Sequence, residues 1–486
     1  MRLHPSKRFL GFPAQMWSAF FISLSAGLPS ARANSPTTVA TGEVRHESIS
    51  VQAPFTMPAI QIPVFPKRDF AITDFGAVEG TNISGAIRKA MADCHDAGGG
   101  RVVIPRGKWF TSKIHFQNNV NLHLADGAVL LFSDNPEDYL PAVQSSYEGN
   151  ECFNYSPLIY ALGCTNVAIT GTGTLEAKLD VWKIWFPRSP SELEAMKQLY
   201  TMAATYVPVE KRQMAAGENH LRPQFIQFNR CRNVLIEDVK IRNSPFWTIH
   251  LLLSSDVVVR RVDISAHGHN NDGIDPEMTR NLLVEDCRFD QGDDAIAIKA
   301  GMDRDGRRLN TPSENIVIQN CTMLRGHELV AIGSELSGGI RNVYVHNCKF
   351  LNEDEDKPQN ILLIKTNHRR DGFVENIHLE NITARSTKYS VVAIDTDVLY
   401  QWRTLVPTYE EKFTPIRGIY VKNVKVEETD IPFRILGNAR LPIKDVFLEN
   451  ITVNKAHGQN RYENVENIHE ANVRIAESSP KSAKKN

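Results

Sequence analysis

A nine-residue pattern recurs along residues 233–453 and limits this chain to a small group of architectures. Its second, fourth, seventh and ninth places are apolar or nearly so, and an Asn or Asp usually stands at the sixth. The copies are NVLIEDVKI, DVVVRRVDI, NLLVEDCRF, NIVIQNCTM, NVYVHNCKF, NIHLENITA, GIYVKNVKV and DVFLENITV, and they start 23, 25, 34, 27, 34, 42 and 27 residues apart. Short strands of period two, with a bend at a repeated polar residue, favour stacked coils. We therefore predict an all-β solenoid, the parallel β-helix.

A helical pattern precedes the strands. Six apolar residues recur at helical spacing between positions 82 and 97, Ser84 is a candidate N-cap, and three glycines at 98–100 end the pattern. One amphipathic helix before many short strands suits a cover for the exposed end of a stack. We therefore predict an N-terminal capping helix.

The repeat also explains the cysteines. Seven cysteines in an exported chain would suggest disulfides, but the number is odd and a chain of 486 residues does not need them. Cys287, Cys321 and Cys348 all occupy the seventh place, where other copies carry Val or Ile. We expect buried, unpaired thiols that act as small apolar side chains.

The first residues resemble an export signal. Basic residues at positions 2, 7 and 8 precede an apolar run at 16–28, and Ala-Arg-Ala at 31–33 has the form of a cleavage site. A retained membrane helix is the competing interpretation, but the run is short and serines interrupt it. We expect a secreted or periplasmic protein that no longer contacts the membrane after signal removal.

Composition divides the chain further. Residues 1–33 are the predicted signal peptide, 34–68 an extended lead-in rich in proline, 69–477 the β-helix catalytic domain, and 478–486 a disordered polar tail. Residues 178–224 do not fit the repeat, and we expect them to fold beside the cleft. The formal net charge of −1 gives no electrostatic reason to expect a nucleic-acid partner.

A second alternating strand in each coil brings acidic residues together. The segments DGID, DAIAIK, ELVAIG, NILLIK and SVVAID can be aligned from Asp272, Asp294, Glu328, Asn360 and Ser390. This alignment stacks Asn271, Asp293 and His327 in one column, beside the column of Asp272, Asp294 and Glu328. Neighbouring strands lie about 4.8 Å apart, so residues far apart in sequence become neighbours. The same alignment puts Lys299, Gly333, Lys365 and Asp395 together at the far end of the strand.

Such a patch has two broad interpretations. Paired carboxyl groups with different pKa values are what glycoside hydrolysis needs. A carboxylate ladder could instead bind Ca²⁺ or only satisfy backbone amides. His327 does not suit a calcium site built from hard oxygen ligands, and Lys365 would repel the metal. We expect catalysis without a metal or other cofactor.

At these residues the chain resembles the polygalacturonase-like glycoside hydrolases of family 28, with a pattern closest to bacterial exo-polygalacturonases. The similarity spans roughly Asp74 to Asn454, through DFGA, GGGRVVIP, NYSPLIYA, NSPFWTIH, NNDGIDP, GDDAIAIKAG, GHELVAIGSE and IKTN. The resemblance implies a right-handed parallel β-helix that hydrolyses α-linked galacturonic acid in pectin with inversion and without a metal. We expect a monomer acting on a pectic polysaccharide or oligogalacturonide.

The resemblance also implies roles. Asp293 corresponds to the general acid, and Asp272 and Asp294 correspond to the acids that hold and deprotonate water. His327 would tune that acid or contact the sugar. Lys365 would neutralise a uronate carboxylate.

Two departures bear on the substrate. Leu363 replaces the arginine of the family's R-I-K motif, and Glu328 replaces the second glycine of G-H-G. A lost cation and a gained anion both weaken recognition of a neighbouring uronate. Either His368, Arg369 and Arg370 supply the charge, or the substrate carries a neutral sugar, as in rhamnogalacturonan or another branched pectin. With Lys365, the predicted substrate-binding set is Asn271, Glu328, His368, Arg369 and Arg370.

The 178–224 segment adds one further expectation. Its aromatic residues Trp182, Trp185 and Phe186 could be sugar platforms or could anchor the segment to the body. A segment that walls one end of the groove would favour release of single units from a chain end. A β-helix pectate lyase that uses Ca²⁺ and a non-catalytic carbohydrate-binding β-helix are the remaining alternatives.

Overall fold

The computed structural model describes residues 47–186, 188–352, 358–398 and 410–477. The predicted signal peptide and the predicted tail lie outside the described residues. The domain limits drawn from composition stay predictions.

Residues 47–177 form the first coils. Their elements are β1 (Glu47–Ile49), β2 (Ile60–Ile62), β3 (Asp69–Ala71), a 3₁₀ turn (Ile72–Phe75), α1 (Ser84–Asp96), β4 (Gly100–Ile104), β5 (Gly107–Thr111), β6 (Ile114–His115), β7 (Val120–Leu124), β8 (Ala128–Phe132), a 3₁₀ turn (Pro136–Tyr139), β9 (Val143–Tyr147), β10 (Asn150–Asn154), β11 (Ile159–Leu162), β12 (Thr165–Gly171) and β13 (Thr174–Ala177).

The middle of the chain holds the remaining helices. Its elements are a 3₁₀ turn (Trp182–Trp185), α2 (Pro190–Ala204), a 3₁₀ turn (Val209–Lys211), β14 (Ile226–Asn229), β15 (Arg232–Glu237), β16 (Lys240–Arg242), β17 (Ile249–Leu252), β18 (Ser255–Arg260), β19 (Asp263–Ala266), β20 (Ile274–Glu277), β21 (Arg280–Glu285), β22 (Arg288–Gln291), β23 (Ile296–Ile298), α3 (Asp303–Leu309), β24 (Ser313–Gln319), β25 (Thr322–Arg325) and β26 (Glu328–Gly333).

The last coils consist of strands. They are β27 (Ile340–His346), β28 (Lys349–Phe350), β29 (Asn360–Lys365), β30 (Val374–Ser386), β31 (Ser390–Asp395), β32 (Ile416–Glu428), β33 (Phe433–Leu436), β34 (Ile443–Ala456), β35 (Arg461–Glu463) and β36 (Val465–Glu477).

The strands wind as a right-handed parallel β-helix, as predicted. Among the described residues, one parallel sheet holds β6, β11, β14, β17, β20, β23, β26, β29, β31, β33 and β35. The nine-residue repeats lie in a second sheet, where β15 and β16 are the two halves of one copy and longer strands such as β30 span both halves. The core is the apolar interior between these sheets.

The register of the repeat agrees with the sequence alignment. Val234 pairs with Val257, and Val257 pairs with Leu282. The pairs Leu282↔Ile316, Ile316↔Val343, Val343↔Ile377, Ile377↔Ile419 and Ile419↔Val446 continue the same column. The reason is that slipping a strand by one residue would turn its apolar side chains out of the core.

Asparagines stabilise the bends. At the sixth place Asn381, Asn423 and Asn450 have positive φ. The side-chain amide of each donates a hydrogen bond to the side-chain oxygen of the sixth-place Asn one coil earlier, beginning with Asn381 and Asn347. Asn tolerates this left-handed conformation better than most residues. A second ladder, which the alignment did not identify, joins first-place residues such as Asn315 and Asn342.

All seven cysteines are buried and form no disulfide. Cys287, Cys321 and Cys348 occupy adjacent coils in one column, and burial raises the pKa of Cys321 well above its usual value. The prediction of buried thiols is confirmed.

Helix α1 packs beside the first coils. Its apolar face, including Ile87 and Met91, joins the core, and it contacts β3, β4, β6 and β7. Ile83, rather than Ser84, occupies the N-cap position, and Asn82 accepts the backbone N–H of Ser84. The candidate N-cap was therefore wrong by one residue, because the side chain of Asn82 captures that amide. The capping role of the helix stays a prediction.

The lead-in and the 178–224 segment are anchored by apolar contacts. Strand β2 lies antiparallel to β1 and packs Ile60 and Ile62 against an apolar stripe on the second sheet. Trp182 and Trp185 are buried in the core, so they anchor the segment and are not sugar platforms. Within the described residues, no helix is both long and apolar enough to cross a membrane.

Candidate active site

A cavity of about 390 Å³ opens on the first sheet where β20, β23, β26 and β29 lie side by side. It is strongly polar at its floor. It is lined by Glu148, Arg188, Trp247, His269, Asn270, Asp272, Asp293, Asp294, Lys299, His327, Glu328, Ser334, Glu335, Gln359, Leu363 and Lys365.

The acidic column predicted from the alignment is present. Ile274 pairs with Ile296 and Ile296 with Val330. Two residues earlier on each strand, the same register brings Asp272, Asp294 and Glu328 side by side, and Glu328 pairs with Asn360 on the next strand. These three carboxyl groups are all at most 3% exposed. A folded chain thus holds three buried acids within neighbouring coils, and they cannot all ionise at low cost.

The charge on Asp294 is set by its neighbours. Its Oδ2 lies 3.4 Å from Nζ of Lys365. Burial alone would raise the pKa of Asp294, but Lys365 and a hydrogen bond from Glu328 lower it to about 2. The same burial, together with the charge on Asp294, raises the pKa of Glu328 well above its ordinary value. The two neighbouring carboxyl groups therefore shift each other's pKa in opposite directions.

Asp272 has a different environment. Burial and the nearby Asp275 raise the pKa of Asp272 well above its ordinary value. Asp275 is fully buried and its pKa is raised in the same direction, while Lys299 lies 3.7 Å from it. Sequence reasoning missed Asp275. The sequence did contain a sign of it, because Asp275 is an acid at a strand position where the neighbouring strands carry Ala297 and Ala331.

Asp293 and His327 form a pair at the cavity wall. Nδ1 of His327 lies 3.0 Å from Oδ1 of Asp293. Burial alone would lower the pKa of His327, but the hydrogen bond and charge of Asp293 raise it above its usual value. Asp293 also accepts the backbone N–H of Asp294, which fixes the direction of its carboxyl group. The pair can hold a proton on an accessible part of the cavity.

One end of the cavity is closed by residues outside the repeat. The hairpin of β9 and β10 carries Glu148 at its turn, where it accepts hydrogen bonds from Arg188 and, at 2.6 Å, from Tyr200 of α2. Trp247 lies below, with Nζ of Lys299 4.7 Å from its ring centroid. Glu148, Arg188 and Trp247 thus line this end of the cavity, which we call the closed end.

Glu335 completes the charge balance of the closed end. Its Oε2 lies 3.4 Å from Nζ of Lys299. Burial alone would raise the pKa of Glu335, but Lys299 and Arg370 lower it to about 2. Glu335, Trp247, Glu148 and Arg188 were not identified from the sequence, because no repeat position indicates that they converge.

Four predicted substrate-binding residues lie outside the cavity lining. Asn271 is fully buried and donates to backbone oxygens of Ser244 and Phe246. Arg370 is buried in an ion pair of 2.6 Å with Asp303. Both side chains direct nitrogen donors into the fold and neither lines the cavity, so their contact with substrate stays a prediction.

His368 and Arg369 are also displaced from the cavity. His368 accepts a hydrogen bond at 3.0 Å from the amide of Asn438 and packs against Phe413. Arg369 is buried, and its backbone oxygen accepts from Arg307. The positive charge expected from this basic run is therefore not in the cavity.

A second cavity of about 280 Å³ adjoins the first at His327 and Gln359. Basic side chains line it. Its lining residues are His267, Gln291, Gly292, Arg325, Gly326, His327, Gln359 and Lys388. Arg325 and His267 both contact Asp290, at 2.7 and 3.1 Å.

A metal could meet one group of ligand atoms here. Asp293, Asp294 and His327 each offer one ligand atom, and these atoms lie within 4.8 Å of one another. A cation would have to displace the contact between His327 and Asp293, and it would face the ammonium of Lys365 beside Asp294. The donor set therefore suits proton transfer better than metal binding.

The arrangement combines a buried carboxyl group with a lowered pKa, Asp294, and a partly accessible carboxyl–imidazole pair, Asp293 and His327. Groups in unlike protonation states on one cavity are what acid–base cleavage of an acetal needs.

Known proteins are similar to this chain in sequence and in fold. The family model described as "Glycosyl hydrolases family 28" matches residues 210–476. A "Probable polygalacturonase" from Vitis vinifera is 26% identical over 406 residues, covering 79% of this chain and 74% of that protein. The crystal structure of a hyperthermoactive exopolygalacturonase from Thermotoga maritima aligns with a TM-score of 0.78 and 37% identity, covering 86% of this chain and 94% of that one. An exo-poly-alpha-D-galacturonosidase from Dickeya chrysanthemi is 29% identical over 315 residues, covering 58% of this chain and 50% of that protein.

Proposed function

This chain belongs to family 28 of the glycosyl hydrolases, and from that premise we propose that it is an exported, inverting hydrolase that releases single α-linked galacturonic acid residues from the ends of pectic chains. Pectic polygalacturonan is the substrate class that fits the family. The observation that carries the proposal is that one cavity holds the buried Asp294 at 3.4 Å from Lys365 and the partly accessible Asp293 at 3.0 Å from His327.

Cleavage begins with proton donation. The glycosidic oxygen lies beside Asp293, which donates a proton to it. His327 returns a proton to Asp293 or stabilises the carboxylate that Asp293 becomes. The bond between the anomeric carbon and that oxygen breaks, and the leaving sugar departs with a new hydroxyl. Asp293 is the general acid because its side chain, unlike that of Asp294, is partly accessible.

Water attacks from the opposite face. Asp294 is the ionised carboxylate that takes a proton from water as the new carbon–oxygen bond forms. Asp272 orients the same water, and its raised pKa makes it a hydrogen-bonding partner more than a base. The resemblance implies that Asp272 and Asp294 hold and deprotonate the water together. We instead assign the deprotonation to Asp294 and the orientation of the water to Asp272.

The closed end supports removal of terminal units. A sugar bound over Trp247 and Lys299 meets Glu148 and Glu335, so the polymer can extend only in the other direction, past His327. The Thermotoga relative is named an exopolygalacturonase, which agrees with this geometry.

Basic residues of the second cavity favour a uronate on the leaving side. His267, Arg325 and Lys388 line the direction in which the polymer would continue, and Asp290 offsets part of the charge of the first two. A neutral leaving sugar, as in rhamnogalacturonan, has no need of them. The N-terminal sequence supports export, since its basic, apolar and small-residue segments follow in the order of a signal peptide.

Product profiling tests the proposal. Purified protein is incubated with polygalacturonate, rhamnogalacturonan and short oligogalacturonides, and products are separated by anion-exchange chromatography over time. We expect polygalacturonate to release monogalacturonate at the earliest time points, while the viscosity of the polymer solution falls slowly. Rapid mid-chain cutting would contradict the proposed exo-action. Product release from rhamnogalacturonan alone would show that polygalacturonate is not the substrate. An unsaturated, UV-absorbing product would indicate a lyase.

A further inference from the structure

We propose that Glu328 is a positioning residue that holds a proton against Asp294, which keeps Asp294 ionised and aimed at the attacking water. The proposal rests on the assignment of Asp294 as the base. It concerns a residue that departs from the family motif, since the resemblance places glycine here. Glycine has no side chain to supply a proton.

The geometry of Glu328 is fixed on both sides. On one side the amide Nδ2 of Asn360 donates to Oε1 of Glu328 at 2.8 Å. On the other side Glu328 lies beside Asp294, because the two stand at matching positions two residues before the paired Ile296 and Val330, and Asp294 raises the pKa of Glu328. Because Oε1 already accepts from Asn360, we place the proton that the two carboxyl groups share on Oε2 of Glu328. Two carboxyl groups can share a hydrogen bond only when one of them is protonated.

The surrounding charges require that protons are retained. The groups that face Asp294 and Glu328 come from four adjacent coils. They are Asp272 and Asp275 on or before β20, Asp293 and Lys299 flanking β23, His327 and Glu335 flanking β26, and Lys365 on β29.

Two lysines, with Arg370 acting on Glu335, are too few cations to neutralise five buried carboxyl groups. Lys365 lies against Asp294, and Lys299 lies against Glu335 and Asp275. The pKa values of Asp294 and Glu335 are lowered, whereas those of Asp272, Asp275 and Glu328 are raised. The buried cluster is therefore balanced by two ion pairs, with protons on the other carboxyl groups.

The consequence for catalysis is a fixed base. Without Glu328, Asp294 would lose one donor and could rotate toward Lys365, away from the water. Its pKa would also rise, because a hydrogen bond to the charged form favours that form. Loss of Glu328 should therefore lower kcat more than it changes the binding of substrate.

Infrared spectroscopy tests the proton without any substrate. Difference spectra between wild type and Glu328→Gln are recorded at neutral pH in H₂O and D₂O. We expect the variant to lose a carbonyl stretch of a protonated carboxyl group, with the isotope shift of an exchangeable proton. Glu335→Gln is the matched control from the same cavity, and it should lose a carboxylate band instead. Loss of a carboxylate band in Glu328→Gln would overturn the proposal.

Kinetics test the positioning role. Glu328→Gln keeps an N–H donor and should retain kcat within about tenfold, whereas Glu328→Leu should lose about tenfold to a hundredfold in kcat with little change in KM. The acid limb of the pH–rate profile should move upward in Glu328→Leu by about one pH unit or more. A Leu variant with wild-type kcat and acid limb would contradict the proposal.

The outcomes separate this inference from the proposed function. If wild type fails to cleave polygalacturonate, the proposed function fails, while the infrared result still decides whether Glu328 carries a proton. If Glu328→Leu does not fold, judged by circular dichroism, the infrared comparison with Glu328→Gln decides alone.

Discussion

Nζ of Lys365 lies 3.4 Å from Oδ2 of Asp294, although 71 residues separate them in sequence. The contact crosses two coils of the β-helix and places a cation beside an acid of the cavity whose pKa is lowered. Lys365 was predicted to neutralise a substrate carboxylate. Its contact with Asp294 gives it a second effect, on the charge of the base.

Replacing Lys365 by methionine should raise the pKa of Asp294, because the cation that lowers it is removed. A base must be ionised to act. As the pH is lowered, the variant should therefore lose activity at a higher pH than wild type does. We expect kcat to fall about tenfold to a hundredfold near the optimum. Full pH–rate profiles of both proteins measure this. An unshifted acid limb would contradict the effect on Asp294.

Replacing Asp293 by asparagine should remove the proton donor while keeping the shape of the side chain. We expect kcat to fall by about 10²- to 10⁴-fold. Asp263→Asn is a suitable control, since Asp263 pairs with Arg242 on the outer surface and does not line the cavity. Wild-type turnover by Asp293→Asn would refute the assignment of the acid.

Replacing Trp247 by leucine should weaken binding of the terminal sugar. Trp247 is buried below the closed end and carries Lys299 over its ring, so its loss also removes that cation–π contact. We expect KM for oligogalacturonides to rise about tenfold, with a smaller change in kcat. Initial rates on a trimer measure the two constants, and an unchanged KM would exclude Trp247 from the sugar site.

Reducing agents should leave stability unchanged. All seven cysteines are buried and unpaired, so denaturation midpoints should be equal with and without dithiothreitol. A thiol reagent should modify none of them in the native protein and all seven after denaturation. A midpoint that falls under reduction would show a disulfide in solution.

The repeat made much of the fold predictable. Each copy has one apolar face, so a single register buries Val257, Leu282 and Ile316 together. The strands of the first sheet have their own alternation, which aligns Ile274 with Ile296 and so stacks Asp272 beside Asp294. The catalytic floor of the cavity is therefore a consequence of local periodicity.

The walls of the cavity were not predictable in the same way. The β9–β10 hairpin and Arg188 occur once, and their convergence on Trp247 depends on contacts between distant segments. The basic run at 368–370 shows the converse problem, since its charge gave no indication that Arg370 is buried against Asp303. Sequence alone shows that a residue is charged, but it does not show its partner.

Proton NMR of the first product tests the proposed mechanism most directly. Spectra of polygalacturonate digests are recorded within the first minutes, before the anomers of free galacturonate equilibrate. Attack by water held at Asp294, opposite Asp293, predicts that single galacturonate units appear first as the β-anomer. First appearance of the α-anomer, or of an unsaturated sugar, would contradict the mechanism.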